Sequence, residues 1–186
     1  MNPFNHIDHI FLINLPERTD RLMDSLYEVE KIGLKQRVAV VEGLKPGNMG
    51  FIETTYNILS RVDRTTLILG DDIKFINTPL KTFEVAYKEI SLEDWDLLYL
   101  GASPQQKLLK RYDNWYLLKY GLTSHAIVYH RRIIPTVVKM LESFLNKPSK
   151  LDHLLLNWIQ PNYTCLLIDP MICVQQSKKL DIQSVR

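Results

Sequence analysis

Apolar residues fill positions 7–15 almost without a break, through Ile10-Phe11-Leu12-Ile13, as in a strand that flanking helices bury on both faces. Pro16 ends the run. Leu22, Leu26 and Val29 then recur at helical spacing over 18–32, and Gly33 stands where a left-handed C-terminal cap belongs. Further strands are predicted at 37–41, 65–69, 95–100, 123–129 and 163–168, and helices at 51–62, 79–90, 133–144 and 151–158. Each strand is expected to precede a crossover. Residues 102–120 break the pattern, because Lys107, Lys110, Arg111, Tyr112, Trp115 and Tyr116 make them basic and aromatic without clean periodicity. A loop or small hairpin over a site is predicted there.

Alternating strands and helices define an α/β fold with a largely parallel sheet and helices on both faces. In such sheets ligands bind beyond the carboxyl ends of strands, which directs attention to 14–21, 42–50, 70–72 and 101–120. The 186 residues suit a single domain, 1–186, with no internal repeat or linker. With 7 Gly, 9 Pro and 46% apolar residues the chain is neither collagenous nor disordered. A net charge of +2 creates no field that calls for nucleic acid, so a small-molecule partner is expected. Cys165 and Cys173 form no zinc motif and are expected to be buried, reduced thiols. The N-terminal residues lack the features of a signal peptide, and no apolar run approaches the roughly 18 residues of a membrane span. A cytoplasmic protein without stable membrane insertion is expected.

Several residues can carry chemistry, each with a plainer alternative. Asp71 and Asp72 follow an apolar strand directly. Two carboxylates about 4 Å apart repel by roughly 4 kcal/mol at an effective dielectric near 20, so a hard divalent ion such as Mg²⁺ or Mn²⁺ would relieve them. Alternatively they simply begin the turn after the strand. Arg18 and Arg21 can clamp a pyrophosphate, or pair at the surface with Glu17 and Asp20, and taken alone they favour the surface pairing. Asp152 stands at a predicted helix start, where an acid also serves the helix dipole. The five histidines show no metal-binding spacing. Trp95, Trp115 and Trp158 can stack on a sugar or a base, although Trp95 and Trp158 fall in periodic apolar segments that suit the core. No GxGxxG, GxxxxGK[ST] or GxSxG motif is present.

Taken together, these segments resemble glycosyltransferase family 25, the lipooligosaccharide and collagen galactosyltransferase-like group. The likeness begins at Ile13-Asn14-Leu15 with Arg18 and Arg21, and continues through Leu67-Ile68-Leu69-Gly70-Asp71-Asp72-Ile73-Lys74-Phe75. Trp95-Asp96-Leu97-Leu98-Tyr99-Leu100-Gly101 is similar to the family's Trp-Asp-apolar-apolar-Tyr-Leu-Gly strand. Gly121 to Val128, Asp152, Pro170, Gln175, Ser177 and Leu180-Asp181-Ile182 extend it in the family's order over nearly the whole chain.

The resemblance implies a GT-A, Rossmann-like fold and an inverting transfer of galactose or glucose from a UDP-sugar to a glycan or protein hydroxyl. It implies Asn14, Arg18, Arg21, Asp71, Gln175 and Asp181 at the donor, Mn²⁺ or Mg²⁺ on Asp72 and Asp71, and Asp152 as the base. Work in lipopolysaccharide assembly, with Lys107 to Arg111 touching an anionic membrane transiently, would suit such an enzyme. Two departures stand out. Gly70 replaces the first acid of Glu-Asp-Asp, and Gly50-Phe51-Ile52-Glu53-Thr54-Thr55 lacks the family's Ser-His. They motivate an alternative, a catalytically inactive relative that binds a nucleotide-sugar or glycan, or serves as a partner subunit.

Overall fold

A computed structural model describes residues 2–176. After a 3₁₀ turn (Pro3–His6) come β1 (His9–Asn14), α1 (Thr19–Lys31), β2 (Val38–Glu42), α2 (Gly47–Leu59), β3 (Thr66–Gly70), β4 (Ile73–Phe75) and α3 (Pro79–Tyr87). The chain continues through β5 (Leu97–Tyr99), β6 (Ser103–Pro104), β7 (Leu109–Tyr112), β8 (Trp115–Leu117), β9 (Gly121–Leu122), β10 (Ala126–Tyr129) and α4 (Ile134–Glu142). It then forms α5 (Leu151–Leu154), a π turn (Leu155–Ile159), β11 (Cys165–Ile168) and β12 (Cys173–Gln175). Gly33 takes the left-handed conformation expected of it, at φ +68°. α2 starts ahead of the expected position 51, because Pro46 has the extended backbone that precedes a helix.

An 8-stranded sheet runs β2-β1-β3-β10-β5-β11-β8-β7. β2, β1, β3, β5, β11 and β7 point one way, with β10 and β8 against them. The α/β class and a predominantly one-way sheet are therefore as expected. The expected crossover after every strand fails after β5. No helix lies between β5 and β10, and a strand reached without a crossover pairs antiparallel.

Strand alternation sorts the core onto two faces. Ile10, Leu12, Leu67, Leu69, Val128 and Leu166 pack with Val29 of α1 and Phe83 of α3. Ile13, Ile68, Ile127, Tyr99 and Leu167 pack with Ile52 of α2, Val137 of α4 and Leu155. At the end of the sheet opposite the site, Asp96 accepts from Arg132 Nε (2.7 Å) and from the Thr164 N–H (2.8 Å), tying the approaches to β5 and β11 to the exit from β10. Among the described residues no helix is long and apolar enough to cross a membrane.

Two expectations are corrected here. The basic aromatic stretch does not arch over a site: β7 and β8 form a hairpin that extends the sheet at its edge. Trp115 is wholly buried, with Nε1 donating to the Ala86 carbonyl (2.7 Å), and Lys110 pairs locally with Asp113. Trp158, expected in the core, is 55% exposed. The π turn adds about one residue to the helical repeat, so Ile159 takes the buried position and Trp158 is rotated to the surface.

Candidate active site

A cavity of about 360 Å³ opens at the carboxyl ends of β1 and β3. Arg18 and Arg21 enter it from the turn after β1 and the first turn of α1, and Asp71 and Asp72 from the turn between β3 and β4. Thr123, Ser124 and His125 enter before β10, Lys150 and Asp152 at the start of α5, and Gln175 at the end of β12. Leu15, Leu44 and Phe51 supply an apolar side. Chain segments far apart in sequence thus place Arg18, Arg21, Asp71, Asp72, Asp152 and Gln175 around one space. Asn14 lies outside that lining: it is 4% exposed and its Nδ2 donates to the Leu15 carbonyl (2.7 Å), while Ile13 and Leu15 on either side of it reach the cavity. Asp181, with Ser177, Leu180 and Ile182, lies outside the described residues.

The electrostatics are those of a crowded carboxylate pair. Burial, followed by the charge of Asp72, raises the pKa of Asp71, and Arg21 and Arg18 oppose the rise. Arg21 Nη1 stands 3.6 Å from Asp71 Oδ1, whose side chain is only 13% exposed. Asp72 Oδ2 accepts from Gln175 Nε2 (2.6 Å), and the Asp72 carbonyl accepts from the Gln176 N–H (2.6 Å). The pairing of β12 with β4 brings Gln175 there, so a residue over a hundred positions downstream completes the corner.

Two glycines set the geometry. Gly101 lets the chain after β5 meet β12, since a Cβ there would fall 1.8 Å from the Cys173 carbonyl oxygen. Gly70 donates its N–H to the His125 carbonyl (2.8 Å), and a Cβ on it would meet Asp72 Oδ1 at 3.3 Å. Gly70 therefore leaves room beside Asp72.

Asp152 is held on both oxygens. Oδ1 accepts from the His153 N–H (2.9 Å) and Oδ2 from the Thr123 N–H (3.3 Å). His125 is 6% exposed, its Nε2 lies 3.3 Å from the Cys173 carbonyl, and its Nδ1 is buried with no protein partner. Burial lowers its pKa and keeps the ring neutral. His125, Thr123, Ser124 and Lys150 were not expected at the site. His125 meets Gly70, Cys173 and Asp72 only through the folded chain, and no local spacing announces such contacts.

Among the described residues no three His, Cys, Asp or Glu side chains converge as a self-sufficient metal cage. The adjacent oxygens of Asp71 and Asp72 do suit a hard cation that takes its remaining ligands from a phosphorylated substrate, as Mg²⁺ commonly does.

In fold the chain is an α/β domain of the GT-A-like kind. A glycosyltransferase involved in glycosylation of the major capsid of PBCV-1 is similar, with TM-score 0.59 and 11% identity over 87% of this chain and 81% of that one. The inositol-1-phosphate CTP transferase from T. maritima gives TM-score 0.54 and 14% identity over 97% of this chain and 93% of that one. At such identities the likeness establishes the fold alone. No protein-family model and no curated protein sequence matches the chain.

Proposed function

We propose that this chain is a metal-dependent, inverting hexosyltransferase of the family 25 type, moving galactose or glucose from a UDP-sugar to a hydroxyl of a glycan or protein. The observation that carries the proposal is the gathering of Arg18, Arg21, Asp71, Asp72, Asp152 and Gln175 around one cavity beyond the strand ends.

The guanidinium groups of Arg18 and Arg21 neutralise the donor diphosphate, as planar cations do well. Gln175 orients Asp72 by donating to Oδ2. Asp72 and Asp71 would hold Mn²⁺ or Mg²⁺, which would supply positive charge to offset the negative charge growing on the departing UDP. Asp152 takes the proton of the acceptor hydroxyl. The acceptor oxygen bonds to the anomeric carbon as the bond from that carbon to the diphosphate oxygen breaks, its electron pair leaving with UDP. One displacement of this kind inverts the anomeric centre and needs no covalent enzyme intermediate. Cys165 and Cys173 are free and buried, which suits a reducing cytoplasm.

A second reading is favoured by Gly70, which leaves the acidic corner one carboxylate short: a relative that binds nucleotide-sugars or glycans without turnover. Calorimetry of UDP with and without Mn²⁺, on wild type and Asp72→Asn, combined with UDP release from UDP-galactose and UDP-glucose, separates the two. Metal-dependent binding lost in Asp72→Asn, together with UDP release, supports the transferase. Binding without release supports the inactive relative as a nucleotide-sugar binder, and no binding by the wild type overturns the transferase and leaves that relative only as a glycan binder.

A further inference from the structure

Gln160 is wholly buried, where a carboxamide costs stability unless its polar atoms are bonded. Both polar atoms of its carboxamide are hydrogen-bonded. Its Oε1 accepts from the Gly121 N–H (2.7 Å) and its Nε2 donates to the Gly121 carbonyl (2.8 Å) and to the Tyr99 hydroxyl (3.0 Å). The carboxamide thus grips both backbone groups of Gly121, as a neighbouring strand would.

What Gly121 leads into explains why the grip matters. Two residues on, Thr123 sits at φ +74°, a left-handed conformation that costs a non-glycine residue on the order of 1–2 kcal/mol and so must be held in place. In that conformation its N–H points at Asp152 Oδ2. Asp152 belongs to the first turn of α5, and Gln160 follows in the same helical segment after the π turn. The π turn is closed by the Gln160 N–H on the Leu155 carbonyl (2.8 Å), and its extra residue sets the direction in which the Gln160 side chain leaves the helix. Helix, carboxylate, strained turn, glycine and carboxamide close a ring.

We propose that Gln160 is a positioning residue which, through Gly121 and the left-handed Thr123, fixes the orientation of the Asp152 carboxylate in the cavity. This inference rests on Asp152 being the base of the proposed transfer. The π turn is then part of the site, an irregularity kept because it delivers Gln160 to Gly121.

The test is a double-mutant cycle on turnover, with UDP release measured at saturating UDP-hexose for wild type, Gln160→Met, Asp152→Asn and the double variant. Gln160→Met is expected to lower turnover by about 100-fold, the scale of a misplaced catalytic group, while the UDP Kd stays within about 2-fold because Arg18, Arg21 and Asp72 are untouched. In the Asp152→Asn background the same change is expected to alter turnover by less than about 3-fold, since the group it orients is already disabled. A general loss of structure would instead lower both backgrounds alike. Should Gln160→Met not fold, Gln160→Asn takes its place, one methylene too short to reach both groups of Gly121. Additive losses overturn the positioning role alone. Full turnover in Asp152→Asn overturns the role of Asp152, and no turnover by the wild type overturns the transferase; the positioning role falls with either.

Discussion

Replacing Gly101 by Ala tests how closely the chain after β5 and the start of β12 approach one another. The new methyl carbon would lie 1.8 Å from the Cys173 carbonyl oxygen and 3.1 Å from His125 Nε2. Since carbon and carbonyl oxygen settle no closer than about 3.3 Å, the two segments must part by about 1.5 Å. The Ile172 and Cys173 N–H groups both donate to the Leu100 carbonyl at 3.0 Å, and neither bond survives that displacement. Two such bonds are worth about 1 kcal/mol each net, and loosening of the buried Ile172 and Cys173 adds about as much as one of them. A loss of about 3 kcal/mol follows, read in urea as a midpoint lowered by about 1.5 M at a typical slope of 2 kcal/mol/M. Gln175 lies two residues beyond Cys173, so its 2.6 Å bond to Asp72 is disturbed as well, and UDP binding should weaken by roughly tenfold. Chemical denaturation and calorimetry on the one variant measure both effects. A midpoint shift below about 0.5 M, with UDP affinity unchanged, would refute the close approach as the support of the acidic corner.

Two further outcomes are expected. Gly70→Glu adds a third carboxylate where the added Cβ meets only the movable Asp72 Oδ1 at less than 3.4 Å; like charges about 4 Å apart cost roughly 4 kcal/mol at an effective dielectric near 20, so its melting temperature should fall in chelator and rise with Mn²⁺ by more than that of the wild type. Equal response of both proteins to Mn²⁺ would count against a cation at Asp71 and Asp72. The second concerns pH. Burial depresses the pKa of His125 in the folded state, so below the ordinary value of 6.5 the unfolded chain binds a proton that the folded chain refuses. The stability that His125 contributes is present above 6.5 and is lost as pH falls from there through the folded value, with a slope of up to about 1.4 kcal/mol per pH unit. The Cys173 carbonyl and, after it, Asp72 partly restrain the drop, and Asp71 acts in the opposite sense at the acidic end, because its raised pKa lets the folded state take up a proton first. Denaturation curves at pH 7.5, 6.5 and 5.5 should show His125→Gln losing less stability than wild type on acidification; parallel losses would show that His125 ionises freely in the fold.

The elements were legible wherever one short window carries the physics. Val29 and Gly33 mark the end of α1 because helix period and left-handed cap are both local, and the buried strands β1, β3 and β11 announce themselves as unbroken apolar runs. The site was partly legible for a different reason: strand ends converge in an α/β sheet, so Arg18, Arg21, Asp71 and Asp72 had to come near one another once the strand order held. What stayed hidden depends on contacts between distant segments. Trp115 looks like a ligand platform in a basic aromatic stretch until Ala86 is found under its Nε1. The exposure of Trp158 follows from one extra residue in a helical turn, which apolar spacing at 151, 154, 155 and 158 does not reveal.

That same extra residue links the legible and the hidden parts of the site. Spacing alone makes Asp152 an ordinary acid at a helix start, and it fills that position, with Oδ1 on the His153 N–H. Its second oxygen is taken by Thr123, whose backbone angle is costly and whose segment is gripped from the far end of the same helical stretch. A regular α-helical continuation would direct the side chain at position 160 differently and would exchange Ile159 for Trp158 at the buried position. One large apolar side chain is buried either way, and what the irregular turn adds is the grip on Gly121. Since core burial is of similar size with Ile159 or Trp158 inside, burial does not select the irregular turn, whereas the bonds of Gln160 to Gly121, two residues before the cavity residue Thr123, depend on it.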